Sequence, residues 1–187
     1  MTFYNIFDIL FTESEVNKMS KKLIGQKKLE KGMSRVFYYY TNVDLPMKLD
    51  ADFYYHTEKE KVFFSLLVAE RSDRCFKTFI NRNYHFEVSS DIELFVISVL
   101  HEIGHHKTIF KMPDYVYNFS EDEENRIQAE LKKHDTDEVY SRYFYLPAEI
   151  IATDWAMKWV KKHPKKFKAL TEEVQSLLND FYAKNTK

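Results

Sequence analysis

The stretch Val99–Lys107 reads V-L-H-E-I-G-H-H-K and carries the pattern H-E-x-x-H at His101, Glu102 and His105. Residues four apart on a helix lie one above the other, so the two imidazoles face a single point in space. Such a pair suits Zn²⁺, which accepts histidine nitrogen at about 2.0–2.1 Å in a tetrahedral shell. Glu102 stands about 100° further round the helix. From there its carboxylate reaches a water near the metal without becoming a ligand, as a general base must. A surface helix that happens to carry histidines is the plain alternative.

Outward from the motif, Ser90-Asp91-Ile92-Glu93 has the form of a capping box with Ser90 as N-cap, which predicts a helix from Asp91 to about Lys107. Ile92, Val96, Val99 and Ile103 make one apolar stripe. Leu94 and Ile97 share the opposite side with His101 and His105. A helix apolar on both sides is a buried one. Histidines there need a polar partner, and a metal ion is one way to supply it. Gly104 costs about 1 kcal/mol relative to Ala in a helix interior. The chain has only three glycines, so one inside the motif suggests that another backbone passes close by.

The composition bounds what this helix belongs to. A chain of 187 residues, 44% hydrophobic and 17% aromatic, is expected to fold as one domain over residues 1–187 and is not disordered. A formal net charge of −1 gives no global attraction to nucleic acid or acidic membranes. The single cysteine, Cys75, excludes an internal disulfide and a Cys₂ or Cys₄ zinc site, and reads as a small packing residue. The leading M-T-F-Y-N-I-F-D-I-L-F has no basic leader and no cleavage site, and no apolar run approaches the ~20 residues of a membrane span. The expectation is a soluble cytoplasmic protein without a membrane partner.

In chain order, Thr12-Glu13-Ser14-Glu15 predicts a helix start, with Val16, Met19, Leu23, Ile24 and Leu29 inward and Gly32 ending the helix near Lys31. Lys18, Lys21, Lys22, Lys27, Lys28 and Lys31 form its basic face, read as a solvated one. The β-branched and aromatic run Arg35–Thr41 predicts a strand. Asp52–His56 and Lys61–Val68 predict a hairpin around T-E-K-E, and Phe76–Phe86 a helical turn leading to a short strand at Tyr84–Val88. An acidic insertion covers about 112–145, helix-prone over Ser120–Leu131 and a loop over Lys132–Glu138. It either rims a cleft or forms a surface excursion. Pro147 suits the first turn of a helix running to about Lys162, stopped by His163-Pro164. A last helix follows over about Lys165–Ala183, with Phe167, Leu170, Val174, Leu177, Leu178 and Phe181 inward. The fold class is α+β, a small antiparallel or mixed sheet packed on the buried motif helix.

A catalytic zinc needs three protein ligands. A third histidine six residues past the second is absent, since position 111 is lysine, and His106 faces about 100° away from His105. Glu149 is the best third ligand. It lies in a first helical turn, and Ala152, Thr153 and Ala156 on its face are small enough to let another helix approach. His134, Asp154 and the acidic cluster at 121–124 are the alternatives.

At this point H-E-I-G-H and E-I-I-A-T-D-W-A (Glu149–Ala156) resemble the ImmA/IrrE family of zincin-type metallopeptidases, whose pattern is H-E-L-G-H and later E-x-x-A-N-x-F-A. The resemblance covers the two helices and little else, and Thr153 stands where the family has asparagine. It implies a zincin-like fold, His101, His105 and Glu149 as a gluzincin ligand set, Glu102 as catalytic base and, for some members, cleavage of a regulatory protein of a phage or mobile element.

The expected reaction is zinc-dependent hydrolysis of a protein or peptide substrate. Tyr140, Tyr143 and Tyr145 are candidates to stabilise the oxyanion. Substrate is expected to lie along a sheet edge supplied by one of the strands at 35–41, 52–56 or 61–68. The rival readings are a zinc-stabilised module that sequesters a regulator without cutting it, a pseudoenzyme, and another zinc hydrolase such as a deformylase. No partner among nucleic acids is expected.

Overall fold

A computed structural model describes residues 13–66, 71–134 and 136–185. In order these form α1 (Glu13–Thr41), β1 (Met47–Leu49), β2 (Tyr54–His56), β3 (Lys61–Phe64), α2 (Arg71–Tyr84), α3 (Asp91–Thr108), α4 (Asp114–Leu131), α5 (Asp137–Arg142), α6 (Pro147–Lys162) and α7 (Pro164–Asn185), with short 3-10 turns at Ile109–Lys111 and Tyr143–Tyr145. The fold is α+β and mostly helical. None of the described helices is long and apolar enough to cross a membrane.

The motif helix α3 lies at the centre, buried without interruption from Leu94 to Gly104. Its start is the expected cap with one change. The Ser90 hydroxyl accepts from the Glu93 amide at 3.3 Å, but the Glu93 carboxylate returns to the amide and hydroxyl of Ser89, at 2.8 and 2.7 Å. Helix α6 packs along α3 through Ala152, Thr153 and Ala156, all fully buried. Gly104 is where they meet. A Cβ built there would overlap the Ala152 carbonyl oxygen and sit 3.0 Å from its carbon and 3.1 Å from its Cα. Glycine at 104 thus lets two backbones touch, as its place in the motif suggested.

The strand expected over Arg35–Thr41 is helical. Leu29, Met33 and Phe37 recur every four residues and are all buried, while Tyr38 and Tyr39 are exposed. Helical spacing buries the apolar set against α7, whereas strand alternation would put Phe37 and Tyr39 on one face. Tertiary packing outweighs the local β preference of the aromatics. Gly32 does not end the helix either; it lies under Leu177 of α7, whose Cδ2 would be 3.0 Å from an added Cβ. Ile24, expected inward, is exposed. The Thr12 cap and the side chains of Val16, Met19 and Leu23 lie outside the described residues.

The hairpin is present, β2 antiparallel to β3, with β1 added parallel on the other side to give the order β1-β3-β2. β3 ends at Phe64; residues 67–68 of the expected strand lie outside the described residues. The outer edge of β1 is sealed by α1. Its Met47 amide donates to Ser34 Oγ at 2.9 Å and its Leu49 amide to Glu30 Oε1 at 3.2 Å. The other edge strand, β2, faces α3 and the cleft described below.

The strand expected over Tyr84–Val88 does not form: Tyr84 ends α2 and the residues after it are irregular. Cys75, Phe76, Phe79 and Ile80 bury one face of α2, a helical spacing, and the chain turns at His85, whose φ is +49°. The acidic segment is also ordered into helices. α4 begins six residues earlier than expected, directly after Pro113, and α5 replaces part of the expected loop over Lys132–Glu138. α4 packs beside α6, and α5 against α2 and α4.

Candidate metal centre

Helix α3 sets His101 and His105 one turn apart, and α6 brings Glu149 against them. The start of α6 has Pro147 at its first position and no side-chain cap of its own. Its orphaned Ala148 amide donates instead to Ser120 Oγ of α4 at 3.2 Å, which ties the first turn of α6 to the cleft wall. Glu149 Oε2 lies 3.0 Å from His101 Nε2, and Glu149 Oε1 lies 3.4 Å from His105 Nε2. The two Nε2 atoms are 3.1 Å apart.

These separations fit a divalent ion. Bonds of about 2.0–2.1 Å in a tetrahedral shell place neighbouring ligand atoms about 3.3 Å from each other. The donor set agrees, because two imidazole nitrogens and a carboxylate converge on one point, where a metal ion can take the place of the proton that otherwise bridges them. His101, His105 and Glu149 can therefore hold a metal ion.

Charge is arranged to match. Burial pushes the Glu149 carboxyl upward, but the charge on His105 and hydrogen bonds from both histidines outweigh it and hold the group well below the usual carboxylate range. Burial works against charge on His105, yet Glu149, Glu102 and Glu124 together raise it to about 9. Glu102 is different. It is buried, its Oε1 is 4.0 Å from His101 Nε2, and burial raises its carboxyl even though the histidine charges and the Tyr55 amide, which donates to it, pull the other way. Strand β2 thus holds the carboxylate beside the ligand set without making it part of that set.

Two cavities, of about 230 and 260 Å³, meet at Phe53, Glu102, Glu124, Tyr143 and Glu149. One is lined by His101, Phe76, Ser98 and Phe144. The other is lined by His105, Tyr55, Ile109 and Tyr117. The cleft so formed crosses the His-Glu cluster, with α4 as one wall.

The remaining candidates separate clearly. His134 is exposed and outside the cluster. Asp154 turns away, accepting from the Tyr84 hydroxyl at 2.9 Å and lying 3.7 Å from Lys158. Of the acidic stretch at 121–124, Glu124 faces both cavities, and burial and the nearby Glu149 raise its carboxyl, but it does not join the cluster. His106 is held aside, its Nδ1 2.9 Å from the Tyr55 hydroxyl. Among the tyrosines, Tyr145 is exposed and Tyr140 lines only the cavity that holds His101, whereas Tyr143 lines both. Burial and the charges of Glu149, Glu124 and Glu102 keep the Tyr143 phenol well above its ordinary value, so it stays a donor.

Thr153 was read as a small residue on the Glu149 face, standing where the resembled family has asparagine, with no partner assigned to it. Its hydroxyl lies 2.9 Å from His101 Nδ1 and donates to the Glu149 carbonyl at 2.8 Å. The spacing of four from Glu149 was the available signal, but a threonine in a buried helix is more often read as packing.

Among protein-family models, curated proteins and solved structures, none matches the chain.

Proposed function

We propose that this protein is a zinc-dependent metallopeptidase of zincin-like architecture, hydrolysing peptide bonds with Glu102 as general base. One observation carries the reading. A buried His-His-Glu cluster opens on a cleft whose wall also holds a separately anchored, buried carboxylate. A purely structural metal site needs no such extra acid and no access from solvent. The resemblance of H-E-I-G-H and E-I-I-A-T-D-W-A to the ImmA/IrrE family supports the same assignment, with a regulatory protein of a phage or mobile element as the substrate class.

His101, His105 and Glu149 would hold the ion. Bound there, zinc supplies the Lewis acidity that polarises a carbonyl and makes a water acidic near pH 7. Glu102 takes a proton from the attacking water as its oxygen bonds to the carbonyl carbon. As the C–N bond breaks, Glu102 delivers that proton to the leaving amine. A carboxyl raised by burial suits both halves of this cycle. Tyr143, held protonated in the cleft wall, donates to the developing oxyanion. The strand nearest the site is β2, whose Tyr54 and Tyr55, with Phe53 just before them, line the cleft. An extended substrate lies along it.

Glu102→Gln tests the assignment. The variant is expected to bind zinc as wild type does and to lose at least 10³-fold in peptide hydrolysis, on the order of a lost general base. Unchanged cleavage refutes the role of Glu102. A wild-type protein that binds zinc, cleaves nothing and retains its biological effect as E102Q is a sequestering module instead.

A further inference from the structure

We propose that Thr153 is a positioning residue that presets His101 for metal, an inference that rests on the metal-centre reading above. A threonine hydroxyl has one proton to give. Thr153 Oγ1 lies 2.8 Å from the Glu149 carbonyl oxygen, which can only accept, so the hydroxyl proton is committed there. His101 Nδ1, 2.9 Å from the same oxygen, must then be the donor. With its Nδ1–H committed to Thr153, the ring has Nε2 left to bind an ion, and Nε2 is the atom that faces Glu149 Oε2 at 3.0 Å and His105 Nε2 at 3.1 Å.

The ligand carboxylate and the orienting hydroxyl sit one turn apart on α6, and Thr153 is fully buried. Docking of α6 on α3 therefore delivers the acid and fixes the imidazole in one step. The partner is neutral. It selects the tautomer and ring orientation without adding the negative charge that a carboxylate in its place would bring.

The experiment is nitrogen-15 NMR of histidine side chains in the full-length protein without metal, together with zinc affinity from competition with a chromophoric chelator. Wild type is expected to show His101 protonated at Nδ1. Thr153→Val, which keeps the shape and removes the acceptor, is expected to lose that preference and to bind zinc 10–100-fold more weakly, and Thr153→Ser to restore both. A bare Nδ1 in wild type overturns the proposal, as does a folded T153V that binds zinc within threefold of wild type. If T153V does not fold, the Nδ1 assignment in wild type and the affinity of T153S still decide. A wild type that fails to bind zinc removes the metal centre itself, a result distinct from a wrong tautomer.

Discussion

Gly104→Ala isolates the contact on which the cluster depends. The added methyl would overlap the Ala152 carbonyl oxygen and lie 3.0 Å from the carbon behind it. Both neighbours are backbone and cannot swing aside, so α3 and α6 must part by on the order of 1 Å to regain ordinary spacing. Alanine favours the helix by about 1 kcal/mol, and overpacking costs about 1–3 kcal/mol. The net loss is up to about 2 kcal/mol, a fall of a few degrees in Tm for a domain of this size. The cluster is affected far more. Gly104 lies between His101 and His105, and Ala152 lies one turn from Glu149, so the same displacement enters the 3.0 and 3.4 Å separations directly. Metal ligands tolerate about 0.2 Å. Zinc affinity is therefore expected to fall at least tenfold while the fold persists, read by chelator competition beside a thermal melt. A G104A protein with unchanged Tm and zinc affinity within threefold would show that the two backbones do not touch there.

Zinc affinity should rise up to tenfold per pH unit and level off above about 9, because the ion displaces the proton that Glu149 helps His105 retain up to about 9. Titration between pH 6.5 and 9.5 checks this, and a flat response below 8.5 contradicts it. Without metal the sign reverses: that proton contributes stability fully below the unfolded value of about 6.5, lost as pH rises through about 9. Glu30→Gln should destabilise by about 1–3 kcal/mol, since Glu30 accepts from Lys48 at 2.8 Å as well as from Leu49. Burial raises the Glu30 carboxyl, but those bonds win and lower it, so its contribution is present above the unfolded value of about 4.3 and lost as pH falls through the lower folded one. In chemical denaturation the gap between the two proteins should narrow from pH 7 to pH 3; a gap that stays the same would contradict this. Phe37→Ala should cost about 3–5 kcal/mol and Tyr39→Ala under about 0.5. Equal losses would fit a strand with both residues on one face.

The buried helix and its partner were legible because their signals are local and agree. The Ser90 cap, two-sided apolarity, Gly104 and Pro147 each point to one arrangement. The long α1 was not legible. Arg35–Thr41 is aromatic by composition, and the stripe through Leu29, Met33 and Phe37 decides it only once α7, over a hundred residues later, is in place to cover it. Strand β1 is three residues long, held by Ser34 and Glu30 side chains from another element, so nothing within Met47–Leu49 announces it. The cluster divides the same way. His101 and His105 follow from spacing alone, Glu149 needed the small residues around it, and the Thr153 hydrogen bond, to a histidine 52 positions away, appears only when the two helices meet.

Because α1 occupies one margin of the described sheet through Ser34 and Glu30, and the Tyr55 amide on the opposite margin is spent on Glu102, a second copy that paired its main chain with β2 would have to take that amide from the carboxylate. Association by that route would therefore free the very acid that the proposed chemistry needs held, so aggregation and loss of activity would set in together.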